Sequence, residues 1–117
     1  MIFLGPVSHE DLKNLYQVAK VHALISWMET PGLSSLEAAA MDCNIVLTTK
    51  GDTRDYFEDF GFYCEPDDVN SIRKAIDLAY DSSVNPKLKE KVLRNYIWEK
   101  TAEETLKGYS MLKTHNN

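Results

Sequence analysis

No apolar run in the sequence approaches the roughly eighteen residues of a membrane span. The first residues, Met1-Ile2-Phe3-Leu4-Gly5, lack the basic start of a secretory signal. Cysteine is scarce, and Cys43 and Cys64 do not have the close spacing of a metal pair. They read as ordinary thiols of a reducing cytoplasm, a disulfide between them being the alternative. Basic residues are outnumbered, 13 Lys+Arg against 18 Asp+Glu, which argues against a general nucleic-acid binder with its basic face. Internal repeats, low-complexity runs and linkers are missing, and no Ser-His-Asp or Cys-His set can be assembled. A length of 117 residues with 44% hydrophobic and 26% charged residues fits one compact soluble domain and no more.

Periodicity divides the chain into alternating strands and helices. Short apolar runs at 2–4, 22–25, 45–49 and 62–64 read as buried strands, and the β-branched run Ile45-Val46-Leu47-Thr48-Thr49 is the clearest of them. Gly5-Pro6 and Gly51 punctuate the first and third. Ser8 with Asp11 opens a helix whose Leu12, Leu15, Tyr16 and Ala19 share a face. Helices are further expected over 32–41 and 54–59. Asp67 or Asp68 caps the next, with Val69, Ile72, Ile76 and Ala79 on one face. Another runs from Lys87 towards Trp98. Thr101 with Glu104 forms a capping box for a last helix, and 114–117 fray. Strands alternating with helices predict an α/β fold: a partial Rossmann-like parallel sheet of about four strands with helices on both faces.

Open sheets of that kind bind ligands beyond the carboxyl ends of their strands. Four segments fall there: 5–8, 26–33, 48–54 and 65–68. The second carries the chemistry. Pro31 and Gly32 stand where a helix begins, so the amides of Gly32, Leu33 and Ser34 point free at its N-terminus and suit a phosphate. Glu29 precedes that helix and Glu37 lies inside it. Carboxylates are poor phosphate ligands but good acceptors from sugar hydroxyls. An anion site flanked by two such acids suits a nucleoside diphosphate sugar.

Glu29, seven residues, then Glu37, within E-T-P-G-L-S-S-L-E-A-A, resembles the E-x7-E motif of retaining GT-B glycosyltransferases, family 4 in particular. Four more blocks resemble the same family in order: F-L-G-P-V-S-H-E-D-L-K-N-L-Y at 3–16, N-I-V-L-T-T-K-G-D-T-R-D-Y-F at 44–57, Y-C-E-P-D-D-V-N-S-I-R-K-A-I at 63–76, and Y-I-W-E-K-T-A-E-E-T-L-K-G-Y at 96–109. Two acids at that spacing occur often by chance. Five blocks in the right order do not.

The resemblance implies that residues 1–117 are a single partial donor-binding domain, an incomplete GT-B C-terminal domain whose N-terminal acceptor domain is absent. Glu37 would hold the ribose hydroxyls of the donor nucleotide. Glu29, the expected catalytic acid, would contact the donor sugar and orient it for transfer. Gly32, Leu33 and Ser34 would offer amides to the diphosphate or the sugar. No cofactor and no metal is implied, only the nucleoside diphosphate sugar as donor. The acceptor, a glycan or a lipid-linked sugar, would be bound through the missing domain. The isolated chain is expected to be inactive and to self-associate, and the full-length enzyme to be cytoplasmic, peripheral at the inner face of the membrane.

The sequence also departs from the family pattern. Pro31 replaces the usual aromatic before the motif glycine and is expected to stiffen the loop. Asp42 stands where a glycine is common, Asn44 where a proline is common, and Gly51-Asp52 where many members have two glycines. Lys50 and Arg54 do not match the basic pair that neutralises the diphosphate in the family.

Blander readings stand beside these. Glu29 as a solvated loop acid, Glu37 as a cap or ion-pair residue and Gly32 as a tight helix entry are the structural alternatives. His22 is expected as a core or rim histidine rather than a base. Lys87, Lys89, Lys91, Arg94 and Lys100 read as a solvated helix face before an anionic-membrane contact. Trp98 and Tyr109 are expected to pack helices. The alternative for the whole is a non-catalytic nucleotide-binding or interaction module that kept the fold.

Overall fold

The computed structural model describes residues 1–30 and 32–115, the side chains of 113–115 excepted. The stiffening expected of Pro31 lies outside the described residues, as does the 116–117 part of the fraying expected at 114–117; Thr114 and His115 still belong to the last helix. Three strands, β1 (Val21–Leu24), β2 (Asn44–Thr48) and β3 (Phe62–Cys64), form one parallel sheet in the order β1-β2-β3. Val21 pairs with Asn44 and Val46 with Phe62. Crossover helices make each pairing parallel, as expected from the alternation of elements.

β2 is the axis of the core. All five of its residues are buried, as a central strand covered on both faces requires. Ile45 and Leu47 face helices α1 (His9–Val18), α2 (Leu33–Ala40) and α5 (Pro86–Asn95), packing with Tyr16, Leu36, Leu88 and Val92. Val46 turns to the opposite face, where Ala75 and Ala79 of α4 (Val69–Asp81) cover it together with Cys64. Asn44 fixes the far end of α4, its Nδ2 donating to the carbonyls of Ala79 at 2.7 Å and Ser82 at 3.0 Å. Cys43 and Cys64 are buried free thiols in the two separate clusters.

Caps read from sequence hold at two helices. Ser8 Oγ accepts from the Asp11 N–H, and Asp68 accepts from the N–H groups of Asn70 and Ser71. The last helix differs. α6 (Trp98–His115) begins three residues before Thr101, so Thr101 is interior and its hydroxyl donates to the Ile97 carbonyl. Glu104 pairs with Lys107 and Lys100 instead of closing a capping box. Trp98 and Tyr109 do not pack helices; they are 82% and 65% exposed on α6.

Of the four expected strands, 2–4 is not one. Ile2 and Phe3 are 85% and 89% exposed, and no strand among the described residues pairs with them. A β-prone run becomes a strand only by pairing, and the sheet ends at β1. The expected helix near 54–59 is a short α3 (Thr53–Phe57) followed by a 3-10 turn (Glu58–Phe60). No helix among the described residues is long and apolar enough to cross a membrane.

Candidate functional site

Because the strands are parallel, the loops that follow them emerge together. Three of the four expected segments meet there. The loop after β1 carries Glu29, the loop after β2 carries Gly51, and the two residues form a parallel bridge. The Asp52 N–H donates to the Glu29 carbonyl at 3.1 Å. The loop after β3 begins with Glu65, which reaches Thr49 and Lys50 of the second loop. The fourth segment, 5–8, leads into α1 and lines a separate open depression with Leu4, Asp11 and Asn14.

Gly51 is the tightest point of the site. Its φ is +86°, and a β-carbon on it would fall 2.4 Å from the Glu29 carbonyl oxygen. Only glycine meets both conditions. The loop is fastened on its other side as well: the Thr53 hydroxyl donates to the Thr48 carbonyl at 2.8 Å, and the Lys50 N–H to Thr48 Oγ1 at 3.1 Å.

The half-buried Glu29 carboxylate accepts from the Ser26 hydroxyl at 2.7 Å. Its Cγ lies 3.2 Å from where a β-carbon of Gly32 would sit. Gly32 has φ +67° and caps α2 without a side chain. The N–H groups of Ser35 and Leu36 bond to its carbonyl. Those of Leu33 and Ser34 have no acceptor among the described residues, at the positive end of α2. The side chain of Leu33 is exposed and that of Ser34 half-buried.

Glu37 stands apart. It lies five residues beyond Gly32, about 7.5 Å along the helix, between two cavities. One, of about 540 Å³, is walled by Leu33, Leu36, Tyr56, Tyr96 and Trp98. The other is walled by His9, Lys13, Tyr16 and Met41. Glu37 has no hydrogen bond or ion pair among the described residues, so it is neither a cap nor a structural ion-pair residue here. Its charge reaches Tyr16, whose phenol is raised above its ordinary value first by burial and then by Glu37. Among the described residues no hydrogen bond or ion pair joins Glu29 to Glu37, and neither of the cavities beside Glu37 is lined by Glu29.

Several features of the site were not read from the sequence. Ser26, Gly51 and Glu65 all shape the loop around Glu29, and only the glycine after a strand carried any signal. The Ser35 hydroxyl is fully buried without a partner among the described residues, 3.6 Å from the β-carbon position of Gly32. His22 is the expected core or rim histidine: its ring meets Tyr16 edge-on at 5.6 Å, burial lowers its pKa, and its Nε2 is buried without a partner among the described residues. Of the helix lysines, Lys89 pairs with Asp42 and Lys91 with Glu58.

The fold is a small parallel α/β sheet flanked by helices, with its strand-end loops gathered beside the N-terminus of α2. The particular family follows from comparison with known proteins. The profile of glycosyl transferases group 1 matches residues 1–97, and the chain belongs to that family. It is 29% identical to an uncharacterized glycosyltransferase of Methanocaldococcus jannaschii over 95% of its length. It is 28% identical to the O-antigen chain mannosyltransferase B of Escherichia coli over 94%. The chain spans about 30% of the length of each of these relatives. Among solved structures it is similar to sucrose-phosphate synthase from Thermosynechococcus elongatus, with a TM-score of 0.82 and 26% identity over 97% of this chain and 30% of that one. These likenesses agree with the C-terminal portion of a GT-B glycosyltransferase.

Proposed function

We propose that this chain is the donor-binding part of a retaining glycosyltransferase that takes a sugar from a nucleoside diphosphate sugar to a glycan or lipid-linked acceptor. The N–H groups of Leu33 and Ser34, without an acceptor among the described residues and at the helix start where Glu29 packs against Gly32, are the observation that carries the reading. In it, those amides and the dipole of α2 receive the diphosphate. As the bond between the sugar and the diphosphate breaks, they stabilise the negative charge that develops on the departing diphosphate. Glu29 accepts from hydroxyls of the donor sugar and orients it. Glu37, without a hydrogen-bond or ion-pair partner among the described residues, accepts from the ribose hydroxyls, and the aromatic wall of Tyr56, Tyr96 and Trp98 lines a cavity beside it. The acceptor is bound by protein outside these 117 residues, so the chain alone binds donor without transferring it. The whole enzyme works on the cytoplasmic side of the membrane.

Titration of the chain with GDP-mannose and UDP-glucose, and with GDP and UDP alone, tests this. Glu37→Ala is expected to weaken nucleotide and nucleotide sugar alike, by about 1–3 kcal/mol, the value of a hydrogen bond to a charged group. Glu29→Ala weakens mainly the nucleotide sugar. Unchanged affinities in both variants would remove the assignment, and a chain that binds neither nucleotide would favour a non-catalytic interaction module.

A further inference from the structure

Glu29 is held by a loop to which it does not belong. Gly51 braces its backbone, and Asp52 donates to its carbonyl. That loop is tied in turn to the end of β3 by Glu65. The Glu65 carboxylate accepts from the Thr49 hydroxyl at 2.9 Å with one oxygen and lies 3.2 Å from Lys50 Nζ with the other. The Glu65 N–H donates to Ser71 Oγ of α4 at 3.0 Å, so the anchor is itself seated on a packed helix. The hydrogen bonds from Thr49 and Lys50 hold the Glu65 carboxyl below its ordinary range, with the charges of Lys50 and Arg54 adding to them.

We infer that Glu65 is a positioning residue for Glu29, acting through the turn at 49–51. The inference rests on the reading of Glu29 as the acid that holds the donor sugar. An ion pair whose side chains are half exposed adds little to stability, so its use here lies in geometry. Gly51 touches the Glu29 backbone with no slack, and a shift of Thr49 or Lys50 is passed directly to the acid. A displacement on the order of 1 Å is enough to weaken a hydrogen bond to a bound sugar.

Glu65→Ala removes both contacts, whereas Glu65→Gln keeps an acceptor for Thr49. In amide NMR spectra of the chain, Glu65→Ala is expected to shift the Glu29, Gly51 and Asp52 resonances. It should also speed hydrogen exchange of the Asp52 N–H about three- to tenfold, the range of one modest contact. Glu65→Gln restores most of both. Affinity for GDP-mannose falls by a similar factor while that for GDP is unchanged, a split that general loosening of the fold would not produce. Unmoved Glu29 and Asp52 amides, or equal weakening of GDP and GDP-mannose, would overturn the inference. Glu29→Ala with undiminished GDP-mannose affinity would instead overturn the reading of Glu29, and the amide coupling to Glu65 would remain.

Discussion

The α-carbon of Gly51 lies so close to Glu29 that a β-carbon would fall 2.4 Å from its carbonyl oxygen and 2.8 Å from its nitrogen. Both neighbours are backbone and cannot rotate away. Gly51→Ala therefore has to move one loop or the other, and at φ +86° it also strains its own backbone. A loss of roughly 2 kcal/mol or more is expected in urea unfolding. Donor-sugar affinity should fall further than nucleotide affinity, because the displaced segment carries Glu29. An alanine variant with wild-type stability would show that the two loops separate freely.

Asp42 lies just past the C-terminus of α2 with φ +63°, a left-handed conformation that costs a residue with a β-carbon about 1–2 kcal/mol. Its carboxylate recovers part of this through Lys89 at 2.9 Å, a surface pair worth less than about 1 kcal/mol. Asp42→Gly is expected to raise stability by roughly 0.5–1 kcal/mol, seen as a higher thermal midpoint. A lower midpoint would show the ion pair to be the larger effect.

The Tyr63 phenol is pushed up to about 12, first by burial. The Arg54 guanidinium, 4.1 Å over the ring, pulls it down, while Asp59 and Glu58 push it up. Its hydroxyl donates to the Glu58 carbonyl at 2.6 Å. A folded pKa above the unfolded value near 10 gives stability that is whole below pH 10 and is lost as pH rises towards about 12. Tyr63→Phe should cost about 1 kcal/mol at neutral pH through the lost hydrogen bond. Unfolding measured across pH 9–12 should show that cost shrinking, since only the wild type is penalised by ionisation in the unfolded chain. A constant difference would place Tyr63 at an ordinary pKa.

What the sequence made legible was whatever one element decides for itself. The β-branched run of β2, the Ser8 and Asp68 caps and the faces of α1 and α4 depend on neighbours within a few residues. The nearness of Glu29 to the start of α2 was legible because the two are contiguous in the chain. Contacts between loops were not. Gly51 meets Glu29, and Glu65 meets Lys50, only once the sheet has been assembled. Ile2-Phe3-Leu4 misled for the same reason in reverse, since its composition suits a strand but strand formation needs a partner. Thr101 and Glu104 had the residues of a capping box, but the chain had already entered α6 at Trp98.

The last prediction concerns the uncovered side of the sheet. β1 pairs with β2 on one side, and the Asn44 N–H bonds to the Lys20 carbonyl. In a parallel ladder the N–H and C=O of one residue point the same way and alternate along the strand. Lys20, His22 and Leu24 thus serve β2, leaving Val21 and Ala23 to turn their peptide groups to the open edge. A bare edge is a template for another chain, and this molecule also exposes the unpaired apolar run Ile2-Phe3-Leu4. The isolated 117-residue chain is expected to self-associate as concentration rises, with mass measured by sedimentation or light scattering. Ala23→Lys, a charge on an exposed position of that edge, should restore the monomer without changing the fold. Replacing Ile2 and Phe3 with serine should do so if the second copy supplies that run. A wild-type chain monomeric at high concentration would show that the edge of β1 attracts no partner, and an association untouched by Ala23→Lys would place the contact elsewhere.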